Sequence, residues 1–378
     1  MAIEIIEWLS SDDCHALDVS GLIDALAARL CAGGLQIQRL VIYLRPLHPT
    51  ILGRAIAWAP GEPVSVLDIE HGHDQSGHIP NNPVLHVMAT RNWLTLRLDD
   101  PQWTPHHIFI GRRLTELCIA PMIHGTSDRA VSAVIFGTQQ QEGFSTADLG
   151  LMRRILPALR SAIELRMWRR RTETILETYI GSDPERHILA GRIRRGDAET
   201  LEAALMFCDM HGFTELSNRL SSERVLQVLN IYFDQVVPPV TQCGGQILKF
   251  MGDGVLAFFR DEAGAAQSCA AAFKAANLIA ERLSALSVPG AKIEAGIGLH
   301  YGEVSYGNIG SGNRLDYTVI GRDVNLTSRI QGLCGPTSHP LLMSKRFTDL
   351  LAVSGVGSIG CHAVKGFAEP IQLFAGTI

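Results

Sequence analysis

Two aspartates sit at the ends of apolar runs, where a buried strand would deliver a carboxylate to a sheet edge. Ala203 to Cys208 (AALMFC) is a continuous apolar stretch, and Asp209 follows it directly. The runs QILKFM and VLAFF flank Gly252-Asp253-Gly254. That unit predicts a β-hairpin tip, because Gly and Asp tolerate the positive φ of a tight turn. If the two strands are neighbours, both carboxylates converge on one edge. Two carboxylates with a few backbone oxygens suit Mg2+, a hard cation usually shared with substrate phosphates. Met210-His211-Gly212-Phe213-Thr214 then predicts a turn into a helix N-terminus, whose free N–H groups at Gly212 and Phe213 suit phosphate.

Lys249 lies inside an apolar strand, where a cation is out of place. Asn325 and Arg329 are four apart, on one helix face. An amide and a guanidinium so placed suit a ribose oxygen and a phosphoryl group in a transition state. Lys365, in Val-Lys-Gly-Phe, is a further phosphate cation. Each feature has a plainer explanation: a turn residue, a snorkelling lysine, a surface Asn/Arg pair. Their combination in one stretch of chain argues for chemistry.

The elements that must position these groups alternate strand and helix over residues 203–378. Leu216–Val240, Ala263–Leu286 and Asp323–Leu333 have helical patterns. Ile293–Leu299, Glu303–Ile309 and Tyr317–Ile320 have the patterns of separate strands. Mixed strands with helices on the sheet faces predict an α+β sandwich. Residues 1–144 also alternate. Leu22–Leu30 has helical spacing closed by Gly33-Gly34, and Arg39–Leu44 (RLVIYL) predicts a buried strand. Pro, Gly, His and Asn over residues 46–83 predict long loops. The runs Cys118–Met122 and Ala130–Phe136 predict an antiparallel pair.

Ser145 and Asp148 form a capping-box pattern that opens a long helix. Apolar residues recur there at Leu149, Met152, Ile155, Leu156, Leu159, Ile163, Met167, Ile175 and Leu176, and Pro157 should kink it. This pattern fits a connector packed on its own domain, or a parallel dimer helix joining an input domain to an output domain. Gly181–Gly196 (GSDPERHILAGRIRRG) has the composition of a hinge. Three parts follow: residues 1–144, a linker over 145–196, and residues 197–378.

The composition narrows the class. A chain of 378 residues that is 46% hydrophobic can bury two or three cores. A net charge of −5 gives no argument for nucleic acid. The eight cysteines form no CxxC pair, which fits a reducing cytosol and a cytoplasmic location. MAIEIIEWLSSDD lacks the basic start of a signal peptide, and no uncharged apolar run reaches about 18 residues. His48, His71, His73, His78, His86, His106, His107 and His124 crowd the N-terminal part. They are candidates for a metal or haem site, although their spacing matches no standard ligand set.

The motifs FCDMHGFTELS (207–217), ILKFMGDGVLAFF (247–259), GIGLHYGEVSYGNIG (296–310), YTVIGRDVNLTSRI (317–330) and VKGFAEPIQLF (364–374) resemble the catalytic domain of class III nucleotidyl cyclases. They occur in the family's order and at its spacing. The stretch IAPMIHG–AVSAVIFGT–GFSTADLGLM is similar to a GAF domain and would make residues 1–144 a sensor. The resemblance implies an α+β catalytic domain with a ferredoxin-like βαββαβ core.

It also implies roles. Asp209 and Asp253, with the backbone carbonyl of Met210, would hold two Mg2+ or Mn2+ ions. Lys249 and Thr318 would select the base, Asn325 would orient the ribose, Arg329 would stabilise the transition state, and Lys365 would contact the triphosphate. A Lys/Thr pair is similar to the adenine-selective, often bicarbonate-responsive class IIIb branch. The implied activity is conversion of ATP to 3′,5′-cyclic AMP and pyrophosphate. In this family the active site lies between two catalytic domains, so a chain holding both sets of residues is expected to form a head-to-tail homodimer. A guanylate cyclase and a silent nucleotide-binding module are the alternatives.

Overall fold

The computed structural model describes residues 1–71, 81–104, 113–123, 131–289, 291–351, 353 and 355–376. The chain divides into two units, Met1–Thr178 and Tyr179–Ile378.

In the first unit, α1 (Ala2–Leu9), α2 (Asp12–His15) and α3 (Val19–Ala32) precede β1 (Arg39–Leu44), β2 (Ile51–Trp58) and β3 (Ser65–Glu70). There follow α4 (Pro83–Thr90), β4 (Leu94–Arg97), β5 (Glu116–Ile123), β6 (Val131–Thr138) and α5 (Thr146–Ile180). The six strands form one sheet in the order β3-β2-β1-β6-β5-β4, with every neighbouring pair antiparallel. The two-residue period of a strand divides β1 between two cores. Leu40, Ile42 and Leu44 pack with Leu22 and Leu26 of α3 and with Met152 and Ile155 of α5. Val41 faces the other way, onto Val84 and Val87 of α4.

The β5–β6 pair forms as expected. The long loops expected over 46–83 do not extend through that stretch, which contains β2, β3 and the start of α4. Edge strand β3 is largely exposed. Without a buried face it lacks the apolar alternation that would have marked it.

The capping box at α5 is reciprocal. Asp148 N–H donates to Ser145 Oγ at 3.2 Å, and Ser145 N–H donates to Asp148 Oδ2 at 2.9 Å. Pro157 lies inside the helix without ending it. Met152, Ile155, Leu159, Ile163 and Met167 are buried in the unit's own core. The apolar residues that α5 exposes are others: Leu165, Trp168, Ile175 and Tyr179. Among the described residues, no helix is long and apolar enough to cross a membrane.

The second unit opens with α6 (Ser182–Leu189), β7 (Ala198–Met210), α7 (Phe213–Arg219), α8 (Ser222–Gln242), β8 (Gln246–Met251), β9 (Gly254–Arg260) and α9 (Ala265–Ser284). It continues with β10 (Ala295–Ser311), β11 (Arg314–Ile320), α10 (Arg322–Gln331), α11 (Cys334–Thr337), β12 (Leu341–Ser344), α12 (Lys345–Leu350), β13 (Val356–His362) and β14 (Ile371–Gly376). The sheet order is β13-β14-β12-β10-β7-β9-β8, with β11 paired to β10. The succession β7-α8-β8-β9-α9-β10 is a βαββαβ unit, with β7 between β10 and β9.

β7 is buried on both faces, which is why its sequence is a continuous apolar run. Ala204, Met206 and Cys208 meet Val228, Tyr232 and Val236 of α8 and Ala272, Ala276 and Ile279 of α9. Ala203 and Leu205 meet Tyr306 and Tyr317 on the opposite face.

Two expectations fail here. Ile293–Leu299 and Glu303–Ile309 do not form separate strands. β10 runs unbroken through both, because β7 pairs with it from Met210↔Ala295 to Ala198↔Gly307. Gly181–Gly196 is not a bare hinge, because α6 occupies half of it. Asp183, in the first turn of α6, is 2% exposed. Tyr306 Oη donates to Asp183 Oδ2 at 2.8 Å, Arg260 Nη2 donates to the same oxygen at 3.2 Å, and Arg186 pairs with Oδ1. Burial pushes the Asp183 carboxyl up, but Tyr306, Arg260, His187 and Arg186 outweigh it and hold the group below the usual carboxylate range. Of the charged residues that suggested a solvated segment, Asp183 is turned inward, while Arg186, Arg192, Arg194 and Arg195 stay exposed.

All eight cysteines are free. Burial pushes the Cys208 thiol up to about 12 and the Cys118 thiol up to about 11, so both stay protonated.

Candidate active site

β7 and β9 are direct neighbours, with Cys208 opposite Val255. The condition for the two carboxylates to converge is therefore met. Asp209 follows Cys208 at the end of β7. Met251 pairs with Gly254 across the β8–β9 turn, leaving Gly252 and Asp253 as the loop. Gly252 has φ 68°, the left-handed conformation for which glycine was expected.

Asp209 lies against the Asp253 carboxyl. Burial, the Asp253 charge and a hydrogen bond shared with Asp253 together push the Asp209 carboxyl up to about 7. The Met210 N–H pulls the other way but does not balance them. Gly254 leaves room above Asp209: a Cβ there would lie 3.3 Å from Asp209 Oδ1. Two half-buried carboxylates held together, with no ion pair to a Lys, Arg or His among the described residues, have the donor chemistry of a divalent-cation site. Among the described residues no third His, Cys, Asp or Glu joins them. Further ligands would have to be backbone oxygens, water or substrate.

Gly212 caps α7 with φ 70° and no side-chain cap, so the first N–H groups of α7, including Phe213, carry no side-chain acceptor. The turn next to Asp209 therefore forms as expected.

Lys249 follows a register shift in β8 and is about half exposed. Its Nζ pairs with Asp316 Oδ2 of β11. Asp316 lies opposite Ile309 and Thr318 opposite Gly307. Strand alternation sets Asp316 and Thr318 on one face and buries Tyr317 and Val319 on the other. The partner of the lysine within the chain is thus Asp316, which shares a strand face with Thr318. The alternation in RLDYTVI was the available signal for Asp316.

Asn325 and Arg329 are exposed on α10, while Leu326, Thr327 and Ile330 are buried beneath them. Lys365 is exposed on the segment between β13 and β14. That segment meets α10 through Phe367, whose ring lies 5.2 Å from the Arg322 guanidinium. Among the described residues, no hydrogen bond or ion pair links the Asp209–Asp253 pair to Lys249, Asn325 or Arg329.

Of the N-terminal histidines, His73, His78, His106, His107 and His124 lie outside the described residues. His48 Nδ1 accepts the Ile51 N–H at 3.2 Å, and His71 Nε2 lies 3.2 Å from the His48 carbonyl oxygen. His86 packs edge-on against Trp103. These three are occupied by local contacts.

The family model of the Adenylate and Guanylate cyclase catalytic domain matches residues 197–365. The terminal-differentiation-specific adenylate cyclase of Dictyostelium discoideum is 28% identical over 186 residues, covering 47% of this chain and 9% of that protein. The adenylate cyclase of Anabaena cylindrica is 33% identical over 152 residues, covering 37% of this chain and 29% of that protein. The chain therefore spans less than a third of either curated relative. The crystal structure of the adenylyl cyclase CyaB from P. aeruginosa is 31% identical, covering 48% of this chain and 96% of that chain, with a TM-score of 0.44.

Proposed function

Residues 197–365 belong to the class III adenylate and guanylate cyclase catalytic-domain family, and on that premise we propose that the chain is an adenylate cyclase. It would convert ATP to 3′,5′-cyclic AMP and pyrophosphate. The observation that carries the reading is the Asp209–Asp253 pair, in which burial and then the charge of Asp253 lift Asp209 toward neutrality. A divalent cation relieves the repulsion between the two carboxylates, and the nucleotide's phosphates are its natural co-ligands.

Asp209, Asp253 and the backbone carbonyl of Met210 would hold two Mg2+ or Mn2+ ions. Bound there, such ions would supply Lewis-acid activation of the ribose 3′-hydroxyl and charge neutralisation at the phosphates. The remaining work falls to the chain's own groups. Asn325 would hold the ribose so that its 3′-oxygen faces the α-phosphorus. Arg329 would stabilise charge developing on the α-phosphoryl oxygens. Lys365 and the N–H groups at Gly212 and Phe213 would hold the triphosphate.

Lys249 would donate to N1 of adenine. Guanine presents an N1–H there, which would leave two donors facing each other at a cost of about 1–3 kcal/mol. Thr318, and Asp316 on the same strand face, are acceptors for the adenine 6-amino group. The names of two curated relatives, the adenylate cyclases of Dictyostelium discoideum and Anabaena cylindrica, support the same choice.

We assign residues 1–144 as a GAF-like sensor, 145–196 as linker and 197–378 as the catalytic part. One chain would give Asp209 and Asp253 to one active site and Lys249, Thr318, Asn325 and Arg329 to another, in a head-to-tail homodimer. The exposed residues Leu165, Trp168, Ile175 and Tyr179 on α5 support a parallel helix pairing, since their steps of three, seven and four residues keep them on one heptad-spaced seam.

The test is a cyclase assay with ATP and GTP in Mn2+, with and without residues 1–178. Cyclic AMP is expected as the main product. Equal or faster turnover of GTP removes the adenine claim, and no product from either nucleotide removes the cyclase claim.

A further inference from the structure

A buried polar cluster beneath α10 has a geometry that packing alone does not require. His300 of β10 is 4% exposed and Ser344, at the end of β12, is 2% exposed. His300 Nδ1 lies 2.6 Å from Ser344 Oγ. His300 Nε2 lies 3.4 Å from Asp323 Oδ1, on the first turn of α10. Asp323 Oδ2 accepts the Glu303 N–H of β10 at 2.9 Å. The set has the composition of a nucleophilic triad. Ser344, however, is sealed from solvent, and its Oγ also accepts the Phe347 N–H as the cap of α12. It has no path to a substrate.

What the cluster does is orient a helix. α10 begins at Gly321 with no side-chain cap. Asp323 instead fastens the first turn to β10 through Oδ2, which accepts the Glu303 N–H, while Oδ1 faces His300 Nε2 at 3.4 Å without a hydrogen bond. His300, with the Glu303 N–H in second place, holds the Asp323 carboxyl below the usual range, so the fastening group is an anion. Gly302 makes room for it: a Cβ there would come within 2.0 Å of Asp323 Oδ2. Helical periodicity then places Asp323 with buried Thr327 on one face and exposed Asn325 and Arg329 on the opposite one. The rotation of α10 about its axis therefore sets where Asn325 and Arg329 point.

We propose that Asp323 and His300 are positioning residues, which lock the rotation of α10 against β10 and so set Asn325 and Arg329 for the reaction. Their catalytic role rests on the cyclase reading above. Their fastening of α10 does not.

The experiment uses the full chain with Asp323→Ala, Asp323→Asn and His300→Ala. It reads kcat and KM for ATP in Mn2+, and hydrogen–deuterium exchange over residues 322–331. A displacement of about 1 Å at a reacting group costs up to about 100-fold in rate. Asp323→Ala is therefore expected to lower kcat about 10- to 100-fold with KM within about threefold, and to speed exchange in α10 while β7 and β9 keep theirs. Asp323→Asn still offers an oxygen to the Glu303 N–H and is expected to recover most of kcat. Exchange over 322–331 that is unchanged in Asp323→Ala and His300→Ala overturns the proposal, even if the wild-type chain turns over neither nucleotide. Faster exchange with an unchanged kcat overturns it too. If Asp323→Ala loses protection throughout, Asp323→Asn and His300→Ala decide by the same two readings.

Discussion

Lys249 of β8 is ion-paired with Asp316 of β11, and Asp316 shares a strand face with Thr318. The pair holds a long, flexible side chain against the strand that carries the proposed base-reading groups. Ordering a free lysine opposes binding, so a lysine already held contributes affinity by preorganisation. Asp316→Ala is expected to raise KM for ATP about threefold to tenfold and to narrow the preference for ATP over GTP. Steady-state kinetics with both nucleotides reads this. Equal KM values in the variant and the wild type would remove Asp316 from base reading.

The Asp209 carboxyl, pushed up to about 7 by burial and by Asp253, gives the site a pH signature. A cation binds the carboxylate form, so protons compete with it at and below pH 7. Activity at limiting Mn2+ should fall from pH 8 to pH 6 and recover when Mn2+ is raised. Stability without metal should move in the opposite direction. A carboxyl whose folded-state value lies above its unfolded value of 3.8 binds more protons when folded, so its contribution is present below pH 4 and lost as pH rises through 7. Thermal melts with a chelator should therefore show a lower Tm at pH 8 than at pH 6, a difference that Asp209→Asn removes.

The proposed division of each active site between two chains makes a mixing experiment decisive. Asp253→Ala and Arg329→Ala chains should each be inactive. Mixed in equal amounts, they should recover about a quarter of wild-type specific activity, since half of randomly paired dimers would be mixed and each would have one intact site of two. No recovery, with dimers shown by analytical ultracentrifugation, counts against shared sites.

Asp183 is expected to matter for the stability of the second unit. Its removal leaves Arg260 and Tyr306 without the carboxylate that they share. Breaking a buried charged network of this kind costs about 3–5 kcal/mol. Asp183→Ala should therefore lower the Tm of an isolated 179–378 fragment by roughly 10 °C or more. A shift within about 2 °C would show α6 to be dispensable.

The parts of this chain that could be read from sequence are those whose physics is local. Gly252 and Asp253 announce their turn, Ser145 and Asp148 their cap, and Ala203–Cys208 a strand buried on both faces. The parts that could not be read depend on partners far along the chain. β10 looks like two strands because Tyr301-Gly302-Glu303 interrupts the apolar run. It is one strand because β7 is long enough to pair along it, and because Gly302 must be small to seat Asp323 twenty-one residues on. α6 looks like a solvated hinge because two of the groups that hold Asp183, Arg260 and Tyr306, lie far along the chain. Asp316 drew no notice because the lysine that claims it is sixty-seven residues earlier.

The length of β10 has one more consequence. Its start, at Gly296, lies beside Asp209, and its far part, at Gly307, lies beside Thr318. Eleven residues of strand separate these points, roughly 35 Å. In a head-to-tail dimer the first point would serve one active site and the second would serve the other. A single extended rod in each subunit would then join the two sites, and two such rods would run between them. Filling one site would strain or settle the strand that frames the other, so the sites would be expected to report occupancy to each other as cooperativity in ATP.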